Sequence, residues 1–231
     1  MKIIYKVEQQ EKVITPMSSS SQATPSFGAP GEEKEPMLLL DTTGSMNFPT
    51  ESGGQTKRRE TIQEAIQIVV AELAKEDTQA AHEEGGGGLR TVTFAGGDAY
   101  DIEDLNPNNL HAKWGQIRWG GGTYIMPGLA KLLEVYKDEF GSRPAQERPT
   151  LLALVITDGE AEDTNEFARA ISQVGGSMYM ALAIIGFGEE HDRALHAYQQ
   201  IAVNNKHVKV FSFGSETDPD TIAQALLHMI E

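Results

Sequence analysis

The sequence contains no cysteine. That absence excludes a disulfide scaffold, a thiolate zinc site and a cysteine nucleophile together. Long apolar runs are also missing. The longest, 151–156 and 178–187, are strand-sized, well short of the roughly 18 residues that a membrane-spanning helix needs. The opening stretch MKIIYKVEQQEK is interrupted by Lys6, Glu8, Glu11 and Lys12, so it lacks the apolar centre of a signal peptide. Positive charge is scarce: 19 Lys and Arg stand against 34 Asp and Glu, a net charge of -15. A surface that acidic repels phosphate backbones and anionic headgroups, so neither nucleic acid nor membrane is an expected partner, whereas a divalent cation is compatible. A cytoplasmic protein is the expectation.

The chain divides into a tail and a body. Residues 1–36 include MSSSSQATPSFGAPGEEKEP, too rich in Ser, Pro, Gly and Glu to bury apolar surface, and are expected to be largely disordered. Residues 2–7 could form an edge strand. Residues 37–231 hold 15 basic and 29 acidic groups, so the acidity belongs to the body.

The body alternates between two hydrophobic periods. Met37–Leu40, Leu89–Phe94, Thr150–Thr157, Met178–Phe187 and Val208–Phe213 read as strands, and Ala99–Leu105 as a short edge strand. Between them, Ile62, Ile66, Val69, Val70 and Leu73 share a helical face, as do Ile125, Leu129, Leu132, Leu133, Tyr136 and Phe140. Thr164 is expected to cap a helix bearing Phe167, Ile171 and Val174, and another helix is expected over 190–203. Asp218-Pro219 reads as N-cap and first residue of a last helix. Asn106 to Thr123, with Trp114, Trp119 and three consecutive glycines, reads as loop. His191 and His196 read as surface residues. The alternation predicts an α/β fold, a doubly wound and mostly parallel sheet of about six strands with helices on both faces.

In such a sheet, ligands bind beyond the carboxyl ends of the strands. The first strand delivers Asp41, Thr43 and Ser45 to that edge, spaced by two so that an extended backbone turns their oxygens to one side. A later strand delivers Asp158, and the glycine-rich loop offers Thr123. Two carboxylates and three hydroxyls form an all-oxygen donor set that suits Mg²⁺; Mn²⁺ or Ca²⁺ would also be compatible.

Asp41-x-Thr43-x-Ser45, Gly121-Gly122-Thr123 and Thr157-Asp158-Gly159, in that order, resemble the metal-ion-dependent adhesion site of a von Willebrand factor A (VWA, integrin I-like) domain over residues 37–231. The usual first motif is Asp-x-Ser-x-Ser, and Thr43 replaces its first serine while keeping the hydroxyl. The resemblance implies a Rossmann-like three-layer α/β/α fold with one antiparallel edge strand, for which 99–105 is the candidate. It implies Thr43, Ser45 and Thr123 as direct metal ligands, with Asp41 and Asp158 acting partly through water. It also implies binding rather than catalysis: one coordination position stays open for an Asp or Glu carboxylate of a partner protein in an intracellular assembly. The alternative from another class is a Mg²⁺-dependent phosphoryl-transfer enzyme resembling haloacid-dehalogenase phosphatases, with Asp41 as nucleophile. That chemistry wants a second acid two residues later, where this chain has Thr43.

Overall fold

The computed structural model describes residues 32–80, 88–159, 161–186, 188–214 and 217–230. The proposed strand at 2–7 and the tail up to residue 31 lie outside the described residues. The six strands are β1 (Lys34–Asp41), β2 (Leu89–Ala95), β3 (Asp98–Leu105), β4 (Thr150–Thr157), β5 (Met178–Ile185) and β6 (Val208–Phe213). They form one sheet in the order β3-β2-β1-β4-β5-β6. All neighbours are parallel except β2 and β3, which pair antiparallel through a tight turn at the sheet edge. The first strand begins at Lys34, so the last three residues assigned to the tail are strand. Thr150 fixes this extension: its N–H donates to the Glu33 carbonyl and its hydroxyl to Glu32.

Central strands are apolar on both faces because helices cover both. Leu152, Leu154 and Ile156 of β4 point into one core with Leu38 and Leu40 of β1. Leu151, Ala153 and Val155 point into the other with Met37 and Leu39. The helices are α1 (Arg58–Ala80), α2 (Leu110–Trp114), α3 (Ile125–Phe140), α4 (Thr164–Ser172), α5 (Glu189–Ala202) and α6 (Pro219–Ile230). Residues of α1, α2 and α6 fill the first core, and those of α3, α4 and α5 the second.

Several local readings are corrected. Residues 110–114 are helical, seating Trp114 in the core 5.3 Å from the Trp119 ring. Thr164 is the first residue of α4 and not its cap; its hydroxyl turns back onto the Ala161 carbonyl. His191 is buried, with Nε2 3.3 Å from the Ser212 hydroxyl, whereas His196 is exposed. The α6 start is as expected: the Thr221 N–H donates to Asp218 at 2.8 Å, behind Pro219.

Glu35, in β1, carries a pH dependence. Burial, and then the charges of Glu139, Asp104 and Glu33, raise its pKa from 4.5 to about 7, against the opposing pull of Arg143. Between those values the folded chain holds a proton that the unfolded chain releases. The stabilisation is therefore complete below pH 4.5 and is lost as pH rises through about 7. Denaturant unfolding at pH 5 and pH 8 is expected to show Glu35→Gln losing roughly 1–2 kcal/mol less than wild type over that interval, after allowance for solvent screening. Equal losses would contradict this account.

Candidate metal centre

β1 and β4 lie side by side at the centre of the sheet, with Leu40 opposite Ile156. Asp41 therefore ends one strand beside Thr157, the end of the other. The chain crosses to opposite sides of the sheet from this pair, so the two strand ends meet at the switch point where α/β sheets bind ligands.

Asp41 is completely buried and doubly held. Thr157 Oγ1 donates to Oδ2 at 2.6 Å, and the Thr43 N–H donates to Oδ1 at 2.8 Å. The second bond bends the backbone, and Gly44–Asn47 continue as a 3-10 turn. The backbone is thus extended through Thr43, as the spacing of two suggested, but turns at Gly44 before it reaches Ser45. The turn nonetheless brings the hydroxyls together, with Thr43 Oγ1 and Ser45 Oγ 3.1 Å apart. Ser45 Oγ donates to Asp158 Oδ1 at 3.0 Å. Four of the five expected residues, Asp41, Thr43, Ser45 and Asp158, form one hydrogen-bonded chain.

The loop bearing Thr123 joins through the backbone of Gly120 and Gly121. The Gly44 N–H donates to the Gly121 carbonyl at 3.2 Å, and the Gly120 N–H to the Thr42 carbonyl at 2.9 Å. Gly121 adopts φ 92°, and a Cβ there would sit 3.0 Å from the Gly96 nitrogen, so the glycine permits both the turn and the close packing. From the other side the Glu162 N–H donates to the Thr123 carbonyl at 2.8 Å. Asp163 then caps α3: its carboxylate accepts from the N–H groups of Ile125 at 3.0 Å and Met126 at 2.8 Å. The loops bearing Thr123 and Asp158 are thereby fastened to each other. Among the described residues, the Thr123 hydroxyl makes no hydrogen bond to the other four.

Arg58 is the residue the sequence reading missed. Its Nη1 stands 2.6 Å from Asp158 Oδ2, with both side chains buried. The guanidinium also lies 6.0 Å from the Phe48 ring. A local signal was present: Lys57-Arg58-Arg59 places cations at a helix start, where the dipole disfavours them. The Lys57 N–H is meanwhile satisfied by Glu60 at 3.0 Å.

The donor set fits a small hard cation. Oxygens on adjacent corners of an octahedron with bonds of about 2.0–2.1 Å stand roughly 2.9 Å apart, close to the two hydroxyl spacings found here. Burial, and then the charge of Asp158, push the Asp41 carboxyl above its usual range, against the hydrogen bonds from Thr157 and Thr43. A bound cation would reverse that penalty. The set also explains why no group of three or more His, Asp or Glu gathers among the described residues: its donors are mainly hydroxyls.

No family model and no curated protein matches the chain. Solved structures do. A minor pilin, PilB of Streptococcus sanguinis, superposes with a TM-score of 0.59 at 14% identity, over 87% of this chain and 61% of the pilin. The chain thus spans about three-fifths of that protein's length. The conserved hypothetical protein BatB of Bacteroides thetaiotaomicron gives 0.52 at 19% identity, over 86% of this chain and 98% of the other. The SpRpn10 VWA domain gives 0.56 at 11% identity, over 85% and 94%. With its six-stranded sheet, single antiparallel edge and helices on both faces, the chain has a von Willebrand factor A-like fold.

Proposed function

We propose that this chain is a Mg²⁺-dependent protein-binding module whose bound ion receives an Asp or Glu carboxylate from a partner. The observation that carries the reading is the charge of the candidate centre. With both Asp41 and Asp158 ionised, as a bound cation would keep them, Arg58, paired with Asp158 at 2.6 Å, offsets one of them and leaves one net negative charge at the site. A divalent ion would leave one net positive charge there, which one incoming carboxylate neutralises. Thr43, Ser45 and Thr123 would contact the ion, with Asp41 and Asp158 anchoring it and its waters.

The surface around the centre supports a protein partner. Phe48, just past the Ser45 turn, is 58% exposed, and Tyr124, next to Thr123, is 37% exposed. Exposed aromatics beside a buried polar centre are what binding sites concentrate. The acidic chain favours a partner whose surface is otherwise neutral or basic. No helix among the described residues is long and apolar enough to cross a membrane. A cytoplasmic setting in a larger assembly accords with the lack of cysteine. The phosphoryl-transfer alternative gains nothing from the site, since Thr43 stands where a second acid would be needed.

A pulldown with Mg²⁺ and again with EDTA tests the reading. Partner retention is expected in Mg²⁺, lost in EDTA and weakened in Thr123→Ala, whose fold is expected to be intact. Metal-independent retention would refute it. Mg²⁺-dependent hydrolysis of a phosphate ester, lost in Asp41→Asn, would favour the enzyme instead.

A further inference from the structure

The two edges of the sheet are finished differently. At one edge, β3 carries the devices that keep a strand from pairing further. Asp98, Asp101, Glu103 and Asp104 make it acidic, and a bulge interrupts its ladder with β2. Side chains take two of its carbonyls: Lys113 donates to that of Ile102 at 2.6 Å, and Asn109 to that of Asp104 at 2.9 Å. At the other edge, β6 reads VKVFSF, with one charge, no proline and an unbroken register on β5.

Among the described residues, β6 pairs with β5 alone. The Met180 N–H donates to the His207 carbonyl and the Gly186 N–H to the Phe213 carbonyl, so the odd-numbered residues here present their polar backbone groups to β5. Parallel pairing then turns the N–H and C=O groups of Val210 and Ser212 away from the sheet. The side chains of Val210 and Phe211 are only half-buried. Such an edge is a template for one more strand.

We infer that residues 2–7, KIIYKV, add to β6 as a seventh, antiparallel strand. The run lies outside the described residues, and the candidate centre makes no use of it. Ile3, Ile4, Tyr5 and Val7 are the residue types that pleated pairing favours. The other short apolar run before Glu32, Val13-Ile14-Thr15, stops at Pro16, which has no N–H for a ladder. Reach and charge set the direction. The described chain starts at Glu32, at the amino end of β1. The place beyond β6 is four strand spacings away, roughly 19 Å. The 24 residues from Glu8 to Gly31 span up to about 80 Å when extended. An antiparallel segment finishes at the amino end of β6, on the same side of the sheet as Glu32, so the connection need not cross the length of the sheet as well. The same direction brings Glu8 and Glu11 toward Lys206, just before β6, where a parallel segment would bring Lys2. Lys206 is exposed and has no ion pair among the described residues. The seventh strand needs no bound ion.

Amide hydrogen exchange of the full chain, resolved by residue with NMR, is the test. Successive residues of a strand face its neighbour alternately, so one of Ile3→Pro and Ile4→Pro removes a bonding N–H. In that variant the Val210 and Ser212 amides are expected to exchange about a hundredfold faster than in the wild type. The wild-type protection is expected to be unchanged on dilution. Lys206→Glu is expected to reduce it about threefold, and Glu8→Lys in the same chain to restore it, a reciprocity that a merely structural lysine would not show. Fast exchange at Val210 and Ser212 in the wild type would overturn the seventh strand, as would protection indifferent to both prolines. Protection that vanishes on dilution would overturn it too and give the edge to a second copy of the chain.

Discussion

Titrated calorimetrically with Mg²⁺, Asp41→Ala is expected to show no saturable binding where the wild type does. Asp41 is one of only two carboxylates in the candidate centre, and it holds the turn as well as supplying charge. Its Oδ1 accepts the Thr43 N–H that bends the chain, so its loss also moves the hydroxyls of Thr43 and Ser45. The truncation leaves a buried Thr157 hydroxyl and a buried amide without an acceptor, a cost of about 1–3 kcal/mol each. Asp41→Asn separates binding from folding: it keeps an acceptor and a native melting profile, and is expected to lose the ion all the same. Thr43→Ser should be nearly silent, since the hydroxyl survives. Arg58→Gln should tighten Mg²⁺ binding by removing a like charge beside Asp158. Wild-type affinity in Asp41→Asn would refute the centre.

Gly128→Val is expected to destabilise the fold by roughly 2–3 kcal/mol, or about 5–10 °C in melting temperature. At Gly128 α3 packs directly against Leu39 of β1 and Phe94 of β2. A Cβ there would stand 2.8 Å from Leu39 Cδ1, 2.9 Å from Phe94 Cβ and 3.0 Å from Phe94 Cδ1. Leu39 could turn aside, but Phe94 Cβ is fixed to the β2 backbone, so the helix must lift. The better helix propensity of the new residue, under about 1 kcal/mol, does not offset that. Gly175→Ala is the control: its Cβ would meet nothing nearer than the His207 ring at 3.7 Å, and its unfolding midpoint should match wild type. A stable Gly128→Val would mean that α3 is not packed as described.

How much of this was legible beforehand depended on the range over which each feature is determined. The strands and most helices were readable because periodicity is local: TLLALVIT, eight residues bounded by Pro149 and Asp158-Gly159, reads as a strand covered on both faces. The gathering of Asp41, Thr43, Ser45 and Asp158 was readable because each follows its own strand in a recognisable spacing. The turn at 44–47 was not, because it follows an extended Thr43 and is held by the Gly121 carbonyl, distant in sequence. The role of Asp163 was not legible locally, because it caps α3, 38 residues away in sequence. Arg58 escaped for the same reason, since its role is set by Asp158, 100 residues downstream. His191 was misread because five-residue spacing from His196 says that the two do not share a face, and nothing about which one faces inward.

The bonds that close the candidate centre are all long in sequence. Thr157 reaches Asp41 across 116 residues, and Ser45 reaches Asp158 across 113. Such closures cost the most chain entropy and tend to form late. During synthesis, the motif at 41–45 leaves the ribosome long before β4 exists to complete it. A chain interrupted between residues 123 and 158 therefore carries the hydroxyls without the second carboxylate. Recognition through this centre would act as a proof of completeness: only a molecule finished through β4 could hold the ion, and only such a molecule could be recruited.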